Sequence, residues 1–220
     1  MKSNQRRAVL KQLAVSALLG SAGISGLLGE AMANGSKPVT PGMYKVKGMV
    51  TINGKPAVPG MAIGSGDSIV TGANSEAIYV IGQDAFLQRA GSTVSFSGVS
   101  ADVMRVLSGK ILSVFGKGSK KLETATATIG IRGTGCYIES EARRVYFCLC
   151  YGVAEVIPSA DTNRVEKIET KYHDHPLYIH DSSMSMIVDA PVINHSDLEL
   201  KLLESLVGRW PPFSQDAYRY

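Results

Sequence analysis

Cysteine is scarce in this sequence: three residues in 220, and none before Cys136, which excludes a lipid-anchored N-terminal cysteine. A long apolar run is missing too. The stretch Leu13–Leu28 is shorter than the ~20 residues a membrane helix needs, and Gly20, Gly23 and Gly26 interrupt it. No Gly-x-Ser-x-Gly nucleophile elbow occurs. Neither GSGDS nor GIRGTG opens a helical pattern after a strand, so a phosphate cradle is not supported. Cys148 or Cys150 with His173 could imitate a thiol and its base, but no third orienting group can be named, and an enzyme is not expected. Charge is modest at 19% of residues, against 45% hydrophobic, which excludes wholesale disorder.

The formal net charge of +4 would suit an anionic partner, but much of it sits at the start. Lys2, Arg6, Arg7 and Lys11 precede the apolar stretch, which ends in Ala31-Met32-Ala33, the small-x-small pattern that signal peptidase accepts. Residues 1–33 therefore read as a signal peptide cleaved after Ala33. RRAVLK resembles a twin-arginine export signal, with Gln5 and Val9 departing from the usual residues. That route carries chains already folded; general secretion is the alternative. Removing four of the 23 basic and one of the 19 acidic residues leaves a nearly neutral chain with no nucleic-acid footprint. The expectation is a periplasmic protein with no permanent membrane span.

Residues 34–42 form a polar linker. From Met43 to about Pro158, short apolar segments alternate with glycine-rich turns and show no helical stripe, which predicts an all-β domain. Asn53-Gly54 after MVTI predicts a tight hairpin. TVSFS places Val94 and Phe96 on one face; LETATATIGI places Ala125, Ala127, Ile129 and Ile131 on one face, with Leu122, Thr124, Thr126 and Thr128 on the other. EAIYVIG is apolar on both faces and predicts a strand covered on both sides. A solenoid and a two-sheet sandwich both fit such closely spaced units.

The ordered set of steps is more specific. Asn53-Gly54, Gly66-Asp67 and Thr71-Gly72 are followed by an apolar strand; then come LSGKILSVFGKG, Arg132-Gly133-Thr134 in TIGIRGTGCYIE, and Gly152 in VYFCLCYGVAEV. Residues 43–157 resemble the FecR domain family on these motifs. The resemblance implies an all-β periplasmic module similar to a β-solenoid, acting without catalysis through contacts with an envelope protein partner. Regulators of that family also carry an N-terminal anti-sigma segment and a membrane span, whereas here the signal leads almost directly into the β domain.

Cys148 and Cys150 flank Leu149 and share one strand face. A hairpin centred on Ala142 would set Cys136 opposite Cys148 and diagonal to Cys150; a slip of one residue would separate them. Three readings stay open: a disulfide from Cys136 to Cys148 or Cys150, suited to an oxidising compartment; a soft transition-metal or haem site using Cys136, Cys148, Cys150, His173 and His175, the last two sharing a face if extended; and buried thiols without a role. No cofactor is implied by the first or third. Residues 158–220 form a C-terminal extension. Ser196-x-x-Glu199 predicts a capping box, and Gly208 the stop, of a helix over 197–207 with Leu198, Leu202, Leu203, Leu206 and Val207 on its apolar side. His195 reads as a neighbour of the helix start, His180 as a loop residue, and Trp210 and Phe213 as aromatic anchors.

Overall fold

A computed structural model describes residues 38–182 and 186–215; the expected signal, with Arg6, Arg7, Ala31 and Ala33, lies outside them. The chain is all-β, as its glycine-punctuated alternation predicts, with one short α-helix and one 3-10 turn, Pro212–Gln215, among the described residues. The strands are β1 (Gly42–Lys47), β2 (Val50–Ile52), β3 (Lys55–Pro56), β4 (Ser68–Thr71), β5 (Glu76–Ile81), β6 (Asp84–Gln88), β7 (Thr93–Ser97) and β8 (Val103–Val114). They continue as β9 (Ser119–Glu123), β10 (Ala127–Ser140), β11 (Arg144–Pro158), β12 (Glu166–Thr170), β13 (Leu177–His180) and β14 (Ile187–Asp189), and α1 (Asp197–Leu206) follows.

All fourteen strands belong to one open hydrogen-bonded network. Three long strands carry it. The first half of β8 pairs with β7 and, in parallel, with β9, while its second half pairs with β6 and β10. β10 pairs first with β9 and then with β8. β11 pairs with β13 in its first half and β12 in its second. The long strands thus pass from one sheet layer into another, and the layers face each other across the core. Phe96 of β7 meets Phe86 of β6 at 5.1 Å and Tyr79 of β5 at 5.9 Å between ring centroids. Ile69, Val94 and Val106 fill one side of this core, and Ile111, Ile138 and Phe147 the other. Each such fully buried side chain contributes about 1.5–3 kcal/mol. Of the two arrangements the sequence allowed, the facing of two layers is that of a sandwich.

The bends fall on the motif glycines. Gly152 has φ +104°, and a Cβ there would lie 2.6 Å from Thr134 Cγ2 and 2.9 Å from the Gly133 carbonyl oxygen. Only glycine lets β11 cross β10 this closely. Gly109 in β8 and Gly133 in β10 hold positive φ at the corresponding bends. The other motif residues are structural as well. Asn53 and Gly54, both at positive φ, make the two-residue hairpin between β2 and β3. Asn53 Nδ2 donates to Asp67 Oδ1 at 2.7 Å, and Asp67 Oδ2 accepts from the Gly64 N–H at 2.8 Å, fixing the loop that leads to β4. Thr71 Oγ1 accepts from the Ser92 N–H at 3.1 Å.

β5 is covered on both faces, as its sequence predicts. Ala77, Tyr79 and Ile81 point into the sandwich core. Ile78 and Val80 are equally buried on the outer face. There, with Leu87, Leu112 and Val114, they belong to a second apolar layer, and α1 packs on its β6 and β8 portion. The helix covers it with Leu200, Leu202, Leu203 and Leu206. Leu198, expected on the apolar side, is 49% exposed; Leu200 takes the buried position instead. Trp210 is also exposed, and Phe213 alone acts as an anchor, packing on Tyr151 and Tyr172. The extension past Pro158 supplies β12, β13 and β14 to the same sheet network and contains α1. LETATATIGI is not one strand. Thr124 Oγ1 accepts from the Ala127 N–H at 3.1 Å, a local turn that ends β9 and starts β10. Leu122 is thereby folded back opposite Ile129 on the core face.

Candidate metal centre

The β10–β11 hairpin is one residue out of the expected register. Tyr137 opposes Cys148 and Cys136 opposes Leu149. Because faces alternate along a strand, this slip sends Cys136 inward with Ile138, Phe147 and Leu149, while Cys148 and Cys150 point outward with Tyr137. The Cys136–Cys148 disulfide is not made; all three cysteines are free and buried. Burial pushes the Cys136 thiol up, as suits a small apolar residue of the core.

The outward pair is joined by two histidines. Cys148, Cys150, His173 and His195 bring their ligand atoms within 4.8 Å of one another. Each comes from a position the fold holds firmly. Cys148 and Cys150 share a face of β11 and lie just ahead of the bend at Gly152. His173 lies in the turn after β12 at φ +50°, and its N–H donates to the Cys150 carbonyl at 3.0 Å. His195 precedes the helix cap, where Glu199 Oε2 accepts the Ser196 N–H at 2.9 Å. His195 stacks on Tyr137, with 4.7 Å between ring centroids.

The hydrogen bonds orient both imidazoles inward. His195 Nδ1 lies 2.6 Å from the Ile193 carbonyl oxygen, which can only accept. Its proton therefore sits on Nδ1, and in the neutral ring the Nε2 lone pair faces the cluster. His173 Nδ1 lies 3.1 Å from that Nε2 and 3.5 Å from Cys148 Sγ. Its far nitrogen, Nε2, is 3.3 Å from Asp197 Oδ1 in the first turn of α1, while Asp197 Oδ2 accepts from the Tyr172 hydroxyl at 2.9 Å. A backbone carbonyl behind one imidazole and a carboxylate behind the other is the arrangement that orients metal-bound histidines.

Charge is organised around Cys148. The hydrogen bond from the Cys150 thiol, with the His173 and His195 imidazoles alongside, overcomes burial and holds the Cys148 thiol well below its usual range. Burial and the neighbouring Cys148 thiolate push Cys150 well up. Burial opposes a charged His173, but the Cys148 thiolate and the Asp197 carboxylate outweigh it and raise that imidazole. Two thiols and two imidazoles facing one another suit a cation that takes the place of the thiol protons.

Of the five metal candidates read from the sequence, Cys148, Cys150 and His173 meet. Cys136 is in the other core. His175 is exposed at the sheet edge beside Glu166, Glu169 and Asp189, because the left-handed turn at His173 destroys the shared face an extended segment would have had. His180 ends β13 opposite Arg144 and is a strand residue. His195 is the member of the cluster that the spacing did not reveal. Its one local signal is its position directly ahead of the capping box, which fixes it in space.

No family model matches the chain, and no curated protein matches it. Among solved structures, it is similar to two crystal structures, at 1.65 and 2.50 Å resolution, of a protein from Parabacteroides distasonis ATCC 8503 described as a "putative anti-sigma factor". Each match has a TM-score of 0.46 and 11% identity, over 56% of this chain and 58% of that one. The chain thus spans less than two thirds of that protein's length.

Proposed function

We propose that this protein is an exported, periplasmic, FecR-like β module that acts without catalysis as a sensory or binding element, and that its input is a soft transition-metal ion held by Cys148, Cys150, His173 and His195. The observation that carries the reading is the convergence of these four donors within 4.8 Å, with the Ile193 carbonyl and Asp197 behind the two imidazoles. Thiolate and imidazole together select zinc, copper(I) or iron over hard cations.

Two features favour binding over chemistry. Four protein donors fill a tetrahedral shell and leave no position for a substrate. Tyr137, Tyr172 and Phe213 contact the histidines, and Tyr146 neighbours Tyr137 on the same face, so side chains take the space a haem macrocycle would need. The periplasmic setting rests on the Arg6-Arg7 start and the Ala31-x-Ala33 cleavage pattern. The FecR-like reading rests on the ordered motif, whose residues Asn53, Asp67, Gly133 and Gly152 each occupy a turn, loop or bend of the sandwich.

Intact mass and elemental analysis of protein purified from the periplasmic fraction test the proposal together. A mass matching cleavage after Ala33, one metal ion per chain and three alkylatable thiols after chelation are expected. A metal-free protein that takes up no zinc, copper(I) or iron under reducing conditions refutes the metal reading.

A further inference from the structure

The four donors come from three separate parts of the chain. Cys148 and Cys150 lie on β11, His173 follows β12, and His195 sits one residue before the helix cap. A single ion would tie all three together. Resting on the metal reading above, we propose that the ion is a divalent cation of the zinc class, held tetrahedrally, and that it latches the helix-bearing segment 190–213 onto β11 and the turn after β12, so that metal supply sets how often this segment opens.

The two-thiolate, two-imidazole set with no vacant position matches zinc in structural sites. Several details place the latch at the helix. His173 adopts φ +50° and Asn194, next to His195, φ +56°. Asparagine takes left-handed geometry readily, but histidine keeps it only where its surroundings hold it, and His173 does so at the point of closure. His173 Nε2 is buried and makes no well-aligned hydrogen bond; the carboxylate 3.3 Å from it belongs to Asp197, the first residue of α1. Fixing His173 on an ion therefore orients a ring whose other side meets the helix itself. Phe213 lies beyond, 6.1 Å from the His173 ring and 5.1 Å from Tyr172, and closes the same corner.

Without the ion, the segment still has attachments on the far side of the site. The Tyr146 hydroxyl donates to the Pro191 carbonyl at 2.9 Å, Asn194 Nδ2 donates to Glu139 at 2.7 Å, and Arg89 pairs with Glu199 at 2.7 Å. The latch therefore adjusts an opening equilibrium in a folded chain and is not a requirement for folding. An ion that binds only the closed form, at a free concentration a hundred times its Kd, raises the closed-to-open ratio about 100-fold.

Hydrogen exchange read by mass spectrometry tests this on the whole processed protein, chelated and then loaded with zinc, with zinc binding measured by calorimetry on the same sample. One zinc per chain and about 100-fold slower exchange in peptides spanning 193–209 are expected, with β4 and β7 peptides unchanged. His195→Gln, at a half-buried position outside the strands, keeps a wild-type circular dichroism spectrum and loses the zinc effect. Cys148→Ser does the same if it folds. Stoichiometric zinc with unchanged exchange over 193–209 overturns the latch and leaves the metal reading standing. Binding of copper(I) but not zinc overturns the assignment of the ion. Binding of neither, with the thiols reduced, overturns both.

Discussion

Gly152 is where fold and site meet, and replacing it by alanine makes a quantitative test. At φ +104° a Cβ is strained whatever the space, at about 1–3 kcal/mol. The added atom also meets Thr134 Cγ2 at 2.6 Å and the Gly133 carbonyl oxygen at 2.9 Å. The second contact is backbone in the neighbouring bend and cannot rotate away. Overpacking of this kind adds about 1–3 kcal/mol. Gly152→Ala is thus expected to destabilise by about 2–6 kcal/mol. Two other glycines separate the contributions. Gly118, at φ +120° with nothing within 4 Å, isolates the backbone strain, and alanine there should cost about 1–3 kcal/mol. Gly130 is not left-handed and also faces open space; alanine there should stabilise by about 0.4–1 kcal/mol through the unfolded chain. Urea unfolding followed by circular dichroism, under reducing conditions with chelator present, gives all three values. If Gly152→Ala costs no more than Gly118→Ala, the close crossing of β10 and β11 is refuted. Because Cys150 lies two residues before the bend, the same variant should also weaken metal binding in whatever fraction folds.

Cys148→Ser should lower metal affinity by at least 100-fold in a competition titration, whereas His175→Ala should leave it unchanged, since His175 lies outside the cluster. Asp197→Asn should weaken affinity about 10–100-fold while preserving stoichiometry, the signature of an orienting group behind a ligand. Glu199→Gln should destabilise the chain by about 3 kcal/mol in denaturant titration, because the Arg89 side chain is only 15% exposed and would keep a largely buried charge without its closest carboxylate. Cys136→Ala should cost core stability and leave metal affinity unchanged, separating the two cysteine environments.

The strands were legible wherever one face alone is buried. TVSFS showed Val94 and Phe96 directly, and the doubly apolar EAIYVI announced a strand covered on both sides. Alternation could not show where a strand stops. The threonines of LETATATIGI keep period two through a turn made by the Thr124 hydroxyl. Hairpin register was out of reach for a related reason. The turn closes between Ser140 and Val145, half a residue off a placement centred on Ala142, and the one-residue slip in pairing that follows alone decides which residue Cys136 faces. Half the site was visible because Cys148 and Cys150 are neighbours on one strand. His195 was not, because only the return of the chain over β11 brings it near, and no local spacing encodes that return. The helix was legible from its capping box, but the identity of its buried face was set by the outer surface of β6 and β8.

The second apolar layer has a consequence for synthesis. Ile78, Val80, Leu87 and Leu112 are all made long before Leu203 and Leu206, which complete the helix over that layer. At ribosomal rates of about 5–20 residues per second, the delay from Leu112 to Leu206 is roughly five to twenty seconds. During it the sandwich core can close while its outer surface stays greasy and uncovered. The emerging chain therefore passes through a stage with a finished interior and an adhesive exterior, a target for chaperones and for association with its own copies, and this stage ends only when the helix has emerged and docked.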